Sequence, residues 1–403
     1  VCIGPAPSTE SYLNMEAIIS AAVATGAQAI HPGYGFLSEN EKFAQLCETC
    51  GIKFIGPSAR VMASMGNKSE ARNTMQKAGV PVVPGTKTPI YSSKEGKRAA
   101  KKIGYPVMIK AALGGGGKGM RVAECEAQFD EMFMAAQLET RKAFGDDTMY
   151  IERYVRDPKH IEVQILADSF GNVVHLGERD CSIQRRHQKV IEESPCAQIS
   201  QQLRSKLGRT AVKAAKAVGY ENAGTIEFLL DSSGRFYFME MNTRVQVEHP
   251  VTELVTGLDI IKEQIRIAAG EKLSVTQKDI KLTGHAIECR INAEDPDRGF
   301  LPCPGTIDNL HFPGGNGVRM DTHVYQGYRL PPNYDSMIAK LIVHGKDREE
   351  AVRKLRSALG ETLVEGIITN VDFDYEIVNS PAFMKGNIDT GFIQKHFPRY
   401  TRK

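Results

Sequence analysis

The stretch from Thr225 to Glu253 constrains the fold more than any other part of this chain. Two apolar, aromatic-rich runs flank Ser232–Arg235, a pattern that predicts a β-hairpin with a loop of about four residues. A loop of that length sets the register of the two strands. It pairs Asp231 with Phe236, Leu229 with Phe238, and Glu227 with Glu240.

The facing of Glu227 and Glu240 is the informative part of this hairpin. Like charges placed opposite each other destabilise a sheet, so the arrangement favours a cation between them. Mg²⁺ takes carboxylate oxygens and keeps positions open for phosphate. If the chain stays extended, alternation places more polar side chains on the same face, namely Asn242, Arg244, Gln246 and Glu248.

Phe236 and Phe238 are predicted to begin that face. The alternative is a half-exposed strand with a solvated polar face, and such a face has no need of an aromatic wall followed by paired acids. We therefore interpret the hairpin as the floor of an active site. It would run from a nucleotide base to its phosphates and on to a second substrate.

The composition excludes several classes of protein. A length of 403 residues suits two or three domains, and 41% hydrophobic with 25% charged residues is typical of a soluble protein. A formal net charge of +3 gives no argument for nucleic-acid or membrane binding. The chain has no apolar run long enough to span a membrane and no signal-peptide pattern.

Cysteine usage indicates a reducing compartment. The eight cysteines are scattered, which favours free thiols in a cytoplasm over a disulfide framework. Cys47 and Cys50 form a C-x-x-C, but no second pair stands at zinc spacing and both fall in a helical pattern. We therefore expect no metal or redox role there.

Strand and helix patterns alternate through the N-terminal region, which predicts a parallel, doubly wound sheet. Ser38 and Glu41 form a capping box that predicts the start of a helix ending near Gly51. The pattern opens in mid-unit, so we expect an incomplete N-terminal domain. The remaining predicted elements there are strands over Val1–Gly4, Ala27–Ile30 and Ile52–Ile55, and a helix over Met15–Thr25.

A boundary is predicted near Gly66, followed by a small unit that contains a glycine run, Gly114–Met120. Such a run is a flexible linker or a tight loop that offers backbone N–H groups to phosphate. It is not a Walker A loop, because Met120 and Arg121 stand where Lys and Ser or Thr are required. The strand before it, Val107–Ala111, carries Lys110.

Two further features leave alternatives open. Arg179–Lys189 concentrates four cations and a histidine near a predicted strand end, which suits either a solvated face or recognition of an anion. From Gly284 the chain changes to short alternating strands, and Arg290 lies in one of them. A lone arginine in a strand is most often a surface ion pair.

The remaining elements follow from periodicity. Helices are predicted over Ser93–Ile103, Ala127–Phe144, Gln202–Val218, Ile260–Ala268 and Arg348–Leu359. Strands are predicted over Met149–Tyr154, His160–Ala167, Val173–Glu178, Ala286–Ile291, Gly305–Phe312 and Ile338–Val343.

Taken together, the motifs resemble biotin carboxylase, an ATP-grasp family, over essentially the whole chain. The resemblance rests on His31–Asn40, Gly114–Met120, Glu178–Lys189, Glu240–Glu253 and Cys289–Asp295. Met241, Thr243 and Pro250 are the variants of acyl-CoA-type carboxylases, and the chain is most similar to the separate biotin carboxylase subunit of bacterial acetyl-CoA carboxylases.

This resemblance implies an α/β fold, α+β in part, of the ATP-grasp type. An N-terminal biotin carboxylase domain at 1–66 would be a partial doubly wound parallel sheet. The ATP-grasp domain would cover 67–270, with a mobile glycine-rich lid at about 82–154. An antiparallel-sheet C-terminal domain would cover 284–396.

The resemblance also implies roles for individual residues. Metal ions would be held by Glu227, Glu240 and Asn242. Glu248 would be the general base for bicarbonate, Arg290 would bind biotin and stabilise its enolate, and Lys189 and Arg244 would be catalytic too. Bicarbonate would contact Lys189, Arg244, Gln246 and Val247. The ATP site would comprise Lys68, Lys110, Gly114, Gly115, Gly116, Gly117, Glu152, Val155, His160, Gln184, His187, Glu227 and Glu240.

The implied activity is ATP-dependent carboxylation of biotin through carboxyphosphate, the first half-reaction of acetyl-CoA carboxylase in fatty acid synthesis. It requires ATP and two Mg²⁺ or Mn²⁺ ions. Biotin would arrive on a separate biotin carboxyl carrier protein, because Phe383–Gly386 lacks a Met-Lys-Met attachment pattern. Carboxyltransferase subunits are implied partners. A cytoplasmic homodimer is expected, weakened without the family's opening strand and helix.

Three other functions compete with this one. One half of a carbamoyl phosphate synthetase also makes carboxyphosphate, but the 240–253 motif and Arg290 argue against it. A non-catalytic ATP-binding or assembly module has no use for both Glu248 and Arg290. The biotin carboxylase part of a propionyl- or pyruvate-type enzyme stays open.

Overall fold

The structure is a computed structural model and describes residues 1–111, 119–144 and 147–401. The chain divides into two compact units, one formed by Val1–Val80 with Asp157–Lys403 and the other by Pro81–Arg156.

The α-helices of the described residues are α1 (Met15–Thr25), α2 (Glu41–Thr49), α3 (Ala59–Gly66), α4 (Lys68–Lys77), α5 (Ser93–Ile103), α6 (Glu126–Phe144), α7 (Gln201–Val218), α8 (His249–Thr256), α9 (Ile260–Ala268), α10 (Arg348–Glu361), α11 (Val371–Asn379), α12 (Pro381–Met384) and α13 (Phe392–His396). Short 3-10 helices cover Ser8–Glu10, Pro296–Arg298 and Pro398–Thr401.

The strands are β1 (Ala29–Ile30), β2 (Lys53–Phe54), β3 (Val107–Ala111), β4 (Met120–Ala123), β5 (Met149–Arg153), β6 (Lys159–Ala167), β7 (Val173–Arg185), β8 (Gln188–Ser194), β9 (Asn222–Leu230), β10 (Phe236–Asn242), β11 (His285–Asn292), β12 (Glu294–Asp295), β13 (Leu301–Pro302), β14 (Gly305–Thr306), β15 (Asn309–His311), β16 (Val318–Thr322), β17 (Arg329–Leu330), β18 (Met337–Gly345) and β19 (Leu363–Glu365).

In the N-terminal part of the larger unit, β1 and β2 pair in parallel, as the alternation predicted. Two local predictions are wrong. Residues 1–4 form no strand, and α2 is capped by Asn40, whose side chain accepts from the Phe43 N–H at 2.9 Å, instead of by Ser38. Asparagine serves as an N-cap as well as serine does, so the residue nearer the apolar run takes the position.

The larger unit is organised around an antiparallel sheet. Within the described residues, eight strands follow the order β10-β9-β6-β7-β8-β11-β18-β16. Its inner strands are largely buried, and α7 and α10 pack on it. The prediction of a strand ending at Glu178 is wrong, because β7 continues to Arg185 and turns at Arg186 and His187 into β8. A single predicted strand over Gly305–Phe312 is also wrong, because β14 and β15 replace it.

The predicted hairpin is present, and Glu227 lies opposite Glu240 as expected. The pairing near the turn is wrong by one residue. Phe236 pairs with Leu230 and Phe238 with Phe228, and an irregularity at Met239 restores the register before Glu240. The cause is Asp231, whose carboxylate accepts from the N–H groups of Ser233 and Arg235 and so joins the loop.

This irregularity changes the faces of the hairpin. Because one extra residue turns later side chains to the other face, Phe238 lies opposite to Glu240, on the face of Phe228. The prediction that Phe236 and Phe238 share the face of the acids is therefore wrong. The aromatic residue on that face is Tyr237, which pairs with Leu229. The strand also ends at Asn242 instead of staying extended to Glu248.

The smaller unit is built on the antiparallel sheet β4-β3-β5, with α5 and α6 packed against it. Its core contains Ile109, Phe129, Phe133 and Ile151, all essentially inaccessible to solvent. The two phenylalanine rings stack with centroids 5.8 Å apart.

Candidate active site

A row of charged side chains crosses one face of the large sheet. Glu240 on β10, Glu227 on β9, Glu162 on β6 and Arg179 on β7 are successive partners in the ladder registers, so their side chains leave the same face. Three neighbouring carboxylates would repel one another without compensation. The cations around this row therefore decide what it can bind.

Lys189 is the cation at the centre of the site. Its Nζ lies 2.6 Å from Glu162 Oε2, 3.1 Å from Glu227 Oε1 and 2.6 Å from Glu248 Oε1. The side chain is only 12% exposed, so these contacts are poorly screened by water. Burial alone would lower its pKa, but the surrounding carboxylates outweigh that effect and raise the Lys189 pKa well above its usual value.

Glu248 is held between two cations. It precedes α8, is buried, and accepts from Lys189 through Oε1 and from Arg290 through Oε2 at 2.9 Å. Burial opposes its ionisation, yet the charges of Lys189, Arg290 and Arg179 prevail and hold the Glu248 pKa well below its usual range. The carboxylate is thus ionised, buried and fixed in orientation.

Several donors converge on Glu227. It accepts from Asn242 Nδ2 at 2.8 Å and Gln246 Nε2 at 2.9 Å, and His160 Nε2 lies 2.9 Å from its Oε2. Burial opposes ionisation here too, but Lys189 and His160 hold the Glu227 pKa well below normal.

Glu240, its partner across the ladder, is different. It is half-buried, and among the described residues no hydrogen bond or ion pair reaches its carboxylate. Burial and the charge of Glu227 raise its pKa, with partial relief from Lys68 at the start of α4. A carboxylate without an ion pair, next to other oxygen donors, suits a hard divalent ion.

Arg179 is a site residue that the sequence did not single out. It is fully buried and bonds Glu162, with further bonds to Gln164 Oε1 and Thr252 Oγ1 at 2.9 Å and to Gln246 Oε1 at 3.0 Å. The signal was the polar residues of β6, which stand at alternate positions in an otherwise apolar strand. Interpreting the 179–189 run as a solvated face is wrong for Arg179 and Lys189, whereas Arg186 and His187 are exposed.

The remaining sequence-predicted anion ligands lie between β10 and α8. Arg244 Nε donates to Glu39 Oε2 at 3.0 Å, and Glu39 Oε1 accepts from the Thr243 N–H at 2.8 Å. The carbonyl of Val247 accepts from Lys340 Nζ at 2.8 Å. Gln246 is buried between Arg179 and Glu227, which fixes its amide.

A cavity of about 900 Å³ opens beside these groups. Its lining includes Lys189, Val247 and Arg290, together with the aromatic residues Tyr34 and Phe300. Arg290 does not form a surface ion pair as predicted. Its side chain is largely buried and bonds two buried acids, Glu192 and Glu248.

The proposed ATP ligands divide between the two units. In the larger unit, Gln184 Nε2 lies 2.8 Å from His160 Nδ1 and fixes that ring. In the smaller unit, Lys110 Nζ lies 2.5 Å from Glu152 Oε2 on the paired strand β5, and Val155 follows that strand. Gly114, Gly115, Gly116 and Gly117 lie outside the described residues.

Comparison with known proteins agrees with this geometry. Three family profiles match: "Biotin carboxylase, N-terminal domain" at residues 1–62, "Carbamoyl-phosphate synthase L chain, ATP binding domain" at 67–276, and "Biotin carboxylase C-terminal domain" at 288–395. The chain is 57% identical over 395 residues to the biotin carboxylase of a Nostoc species, covering 98% of this chain and 88% of that protein. It is 54% identical to the Haemophilus influenzae biotin carboxylase, with the same coverage.

Solved structures give the same result. A Campylobacter jejuni biotin carboxylase in complex with β,γ-ATP is 53% identical, with a TM-score of 0.90 over 96% of this chain and 87% of that one. The biotin carboxylase domain of Hydrogenobacter thermophilus 2-oxoglutarate carboxylase, a dimer with MgADP, ADP and bicarbonate, is 48% identical, with a TM-score of 0.90 over 100% of this chain and 88% of that one.

Among the described residues, no helix combines the length and apolarity that a membrane span requires. The match to the ATP-binding domain profile and the likeness to the solved C. jejuni structure identify the fold as ATP-grasp. With the identity to relatives over nearly the full chain, they identify the enzyme class as ligase. The chain belongs to the biotin carboxylase family.

Proposed function

We propose that this chain carboxylates biotin on a carrier protein, using ATP and bicarbonate and passing through carboxyphosphate. The observation that carries the proposal is Glu248, a buried and ionised carboxylate held between Lys189 and Arg290 beside a cavity. A base fixed between an anion-binding lysine and a substrate-binding arginine suits a reaction that activates one anion and then transfers its carbon.

The ATP phosphates would lie over the row that begins at Glu240. The residues present fit a divalent ion, because Glu227 and Glu240 face each other and the second has no cationic partner among the described residues. Glu227, Glu240 and Asn242 would hold two Mg²⁺ or Mn²⁺ ions, which would neutralise charge on the phosphates. The H. thermophilus relative binds MgADP, which supports this assignment.

The ATP ligands proposed from the larger unit are Lys68, His160, Gln184 and His187. Those proposed from the smaller unit are Lys110, Glu152 and Val155, together with the glycine run. Lysines supply charge to phosphates as compact point charges, and a glycine run offers backbone N–H groups.

Bicarbonate would bind to Lys189, Arg244, Gln246 and the backbone of Val247. Bicarbonate is a weak nucleophile, so Glu248 would take its proton while an oxygen attacks the γ-phosphorus and ADP leaves. The product, carboxyphosphate, breaks into CO₂ and phosphate. That phosphate accepts the N1′ proton of biotin, and the resulting nitrogen nucleophile forms the new bond to CO₂.

Arg290 would stabilise the negative charge that develops on the ureido oxygen of biotin. Its guanidinium lines the cavity and is fixed by Glu192 and Glu248. We further propose that biotin arrives on a biotin carboxyl carrier protein and that carboxyltransferase subunits accept the product, as in acetyl-CoA carboxylase. The dimeric H. thermophilus relative supports a homodimer.

The test is bicarbonate-dependent ATP hydrolysis by this chain at saturating Mg²⁺, with and without free biotin. Phosphate release that rises with biotin and yields carboxybiotin is the expected result. ATP binding without turnover would contradict the proposal and indicate a purely binding module.

A further inference from the structure

Glu288 is a buried acid that the proposed reaction does not use. It lies in the middle of β11 with no solvent exposure, and within the described residues neither carboxyl oxygen has a hydrogen-bond partner. Oε2 of Glu192 is likewise buried and without a partner there. Buried polar atoms are nearly always paired, so three unpaired oxygens in one place require an explanation.

The sheet brings these oxygens together. Glu288 and Glu192 are direct partners in the antiparallel ladder between β11 and β8, so their side chains leave the same face within reach of each other. The other oxygen of Glu192, Oε1, lies 2.7 Å from Arg290 Nε and 2.6 Å from its Nη2. Glu192 thus stands between Glu288 and the guanidinium that lines the cavity.

The cations nearby are already engaged. Arg290 is shared by Glu192 and Glu248, and Lys340 on β18 donates to Val247 and lies 3.5 Å from Asp321. An ionised Glu288 would therefore have no cation of its own. The charged groups around the pair are Arg290 on β11, Lys189 on β8, Lys340 on β18, Glu248 before α8 and Asp374 on α11.

We propose that Glu288 keeps its proton and donates it to the free oxygen of Glu192, and that Glu192 in turn fixes Arg290 for its substrate. The inference rests on the proposed function for the identity of that substrate. Burial, with Glu192 nearby, raises the Glu288 pKa well above its usual value, in agreement with a neutral acid. Glu192 and Glu288 are positioning residues, since neither is assigned a contact with biotin.

The experiment compares wild type with Glu192→Gln, Glu288→Gln and Glu288→Leu. Glu193→Gln is the matched control. Glu193 is the next residue on β8, is equally buried and bonds Arg348 and His285 instead of Arg290. For each folded protein, kcat and KM for free biotin are measured from about pH 6 to about pH 9, a range that brackets the Glu192 pKa of about 7.

The kinetic expectations separate positioning from general damage. Glu192→Gln should lower kcat/KM for biotin about 10- to 100-fold, as loss of charge-assisted hydrogen bonds does. Glu288→Leu should lower it about fivefold, and Glu288→Gln should restore most of that loss because the amide also donates. Glu193→Gln should stay near wild type in this ratio.

The pH profile gives a readout that structural damage would not move. Burial raises the Glu192 pKa to about 7, so wild-type kcat/KM for biotin should fall as the pH drops through that value and Glu192 gains a proton. Glu192→Gln should lose this step. Glu288→Gln should keep it within about half a pH unit, because replacing a neutral acid by a neutral amide changes no charge. A shift of one unit or more would overturn the proposal.

Infrared spectroscopy tests the proton without relying on activity. At about pH 9, where Glu192 is ionised, wild type should show the carbonyl stretch of a buried protonated carboxylic acid from Glu288, and both Glu288 variants should lack that band. Asp374→Asn identifies the band of Asp374, another buried acid whose pKa burial raises well above its usual value. An unchanged spectrum in the Glu288 variants would overturn the proposal. A wild type with the band but no biotin-dependent turnover would refute the function and leave the proton assignment standing.

Discussion

Two pairs of glutamates face each other across the same sheet, and the protein treats them in opposite ways. Glu227 and Glu240 meet at one edge, and Glu192 and Glu288 meet near the middle. The first pair is partly open, and one member has no cationic partner among the described residues. The second is sealed. We therefore propose a cation at the first pair, which a cation can reach, and a proton at the second pair, which it cannot.

Glu248 connects the two pairs. Through Lys189 it is joined to Glu227, and through Arg290 it is joined to Glu192. The cation-binding pair is thus proposed to serve phosphate chemistry, and the protonated pair is proposed to serve the positioning of biotin.

The largest effect should come from the residue that connects both pairs. Glu248→Gln should lower the rate of biotin carboxylation about 10²- to 10³-fold, because the proposed general base is lost while the shape of the side chain is kept. Bicarbonate-dependent phosphate release and carboxybiotin formation should fall together. A variant that carboxylates biotin at nearly the wild-type rate would remove Glu248 from the mechanism.

The next effect should distinguish the pairs directly. Glu240→Gln should lower turnover about 10²-fold at fixed Mg²⁺, since a proposed metal ligand is lost, and excess Mg²⁺ should recover part of the turnover. Glu288→Gln should show no such dependence on Mg²⁺. The measurement is turnover against Mg²⁺ concentration, and identical curves for the two variants would contradict the comparison.

A smaller effect is expected on the free energy of unfolding when Glu193, the neighbour of Glu192 on β8, is replaced. Burial opposes its ionisation, but His285 and Arg348 lower the Glu193 pKa to about 2. A lowered pKa stabilises the fold above the unfolded value of about 4.5, and the benefit is lost as the pH falls through about 2.

Glu193→Gln should therefore be destabilised by about 3 kcal/mol at pH 7. At about pH 3, the difference in unfolding free energy between wild type and the variant should be less than half its value at pH 7. Urea unfolding at both pH values measures it, and a gap that grows on acidification would reverse the assigned sign.

The smallest effect should come from outside both pairs. Glu39→Gln removes the partner of Arg244, but that carboxylate is 40% exposed and the ion pair is weak. We expect the KM for bicarbonate to rise no more than about fivefold, with the response to Mg²⁺ unchanged. A loss as large as that of Glu240→Gln would mean that Arg244 belongs to the metal-dependent part of the site.

The first pair was predicted from the sequence, and the second was not. Glu227 and Glu240 were placed opposite each other because a turn between two aromatic runs limits the register to a few choices. The correct result needed a compensation that no pattern shows, since Asp231 joins the loop and Met239 restores the register. Two local effects cancelled at Glu240 and did not cancel at Phe238.

Glu192 and Glu288 are separated by 96 positions, and only the pairing of β8 with β11 makes them neighbours. The available signal was local: Glu288 and Arg290 stand at alternate positions in an apolar strand. Alternation shows that they share a face but gives no partner strand. Arg179 was missed for the same reason, because its five acceptors come from four separate segments. Helices were easier, since caps and periodicity are local, and α5 and α9 have the predicted bounds.

The most direct test of the contrast between the pairs is Mn²⁺ binding, followed by electron paramagnetic resonance in the presence of ADP. Wild type, Glu240→Gln and Glu288→Gln are titrated under the same conditions. The account predicts that Glu240→Gln binds Mn²⁺ at least about tenfold more weakly and that Glu288→Gln binds it as wild type does. Retained affinity in Glu240→Gln, or lost affinity in Glu288→Gln, would contradict it.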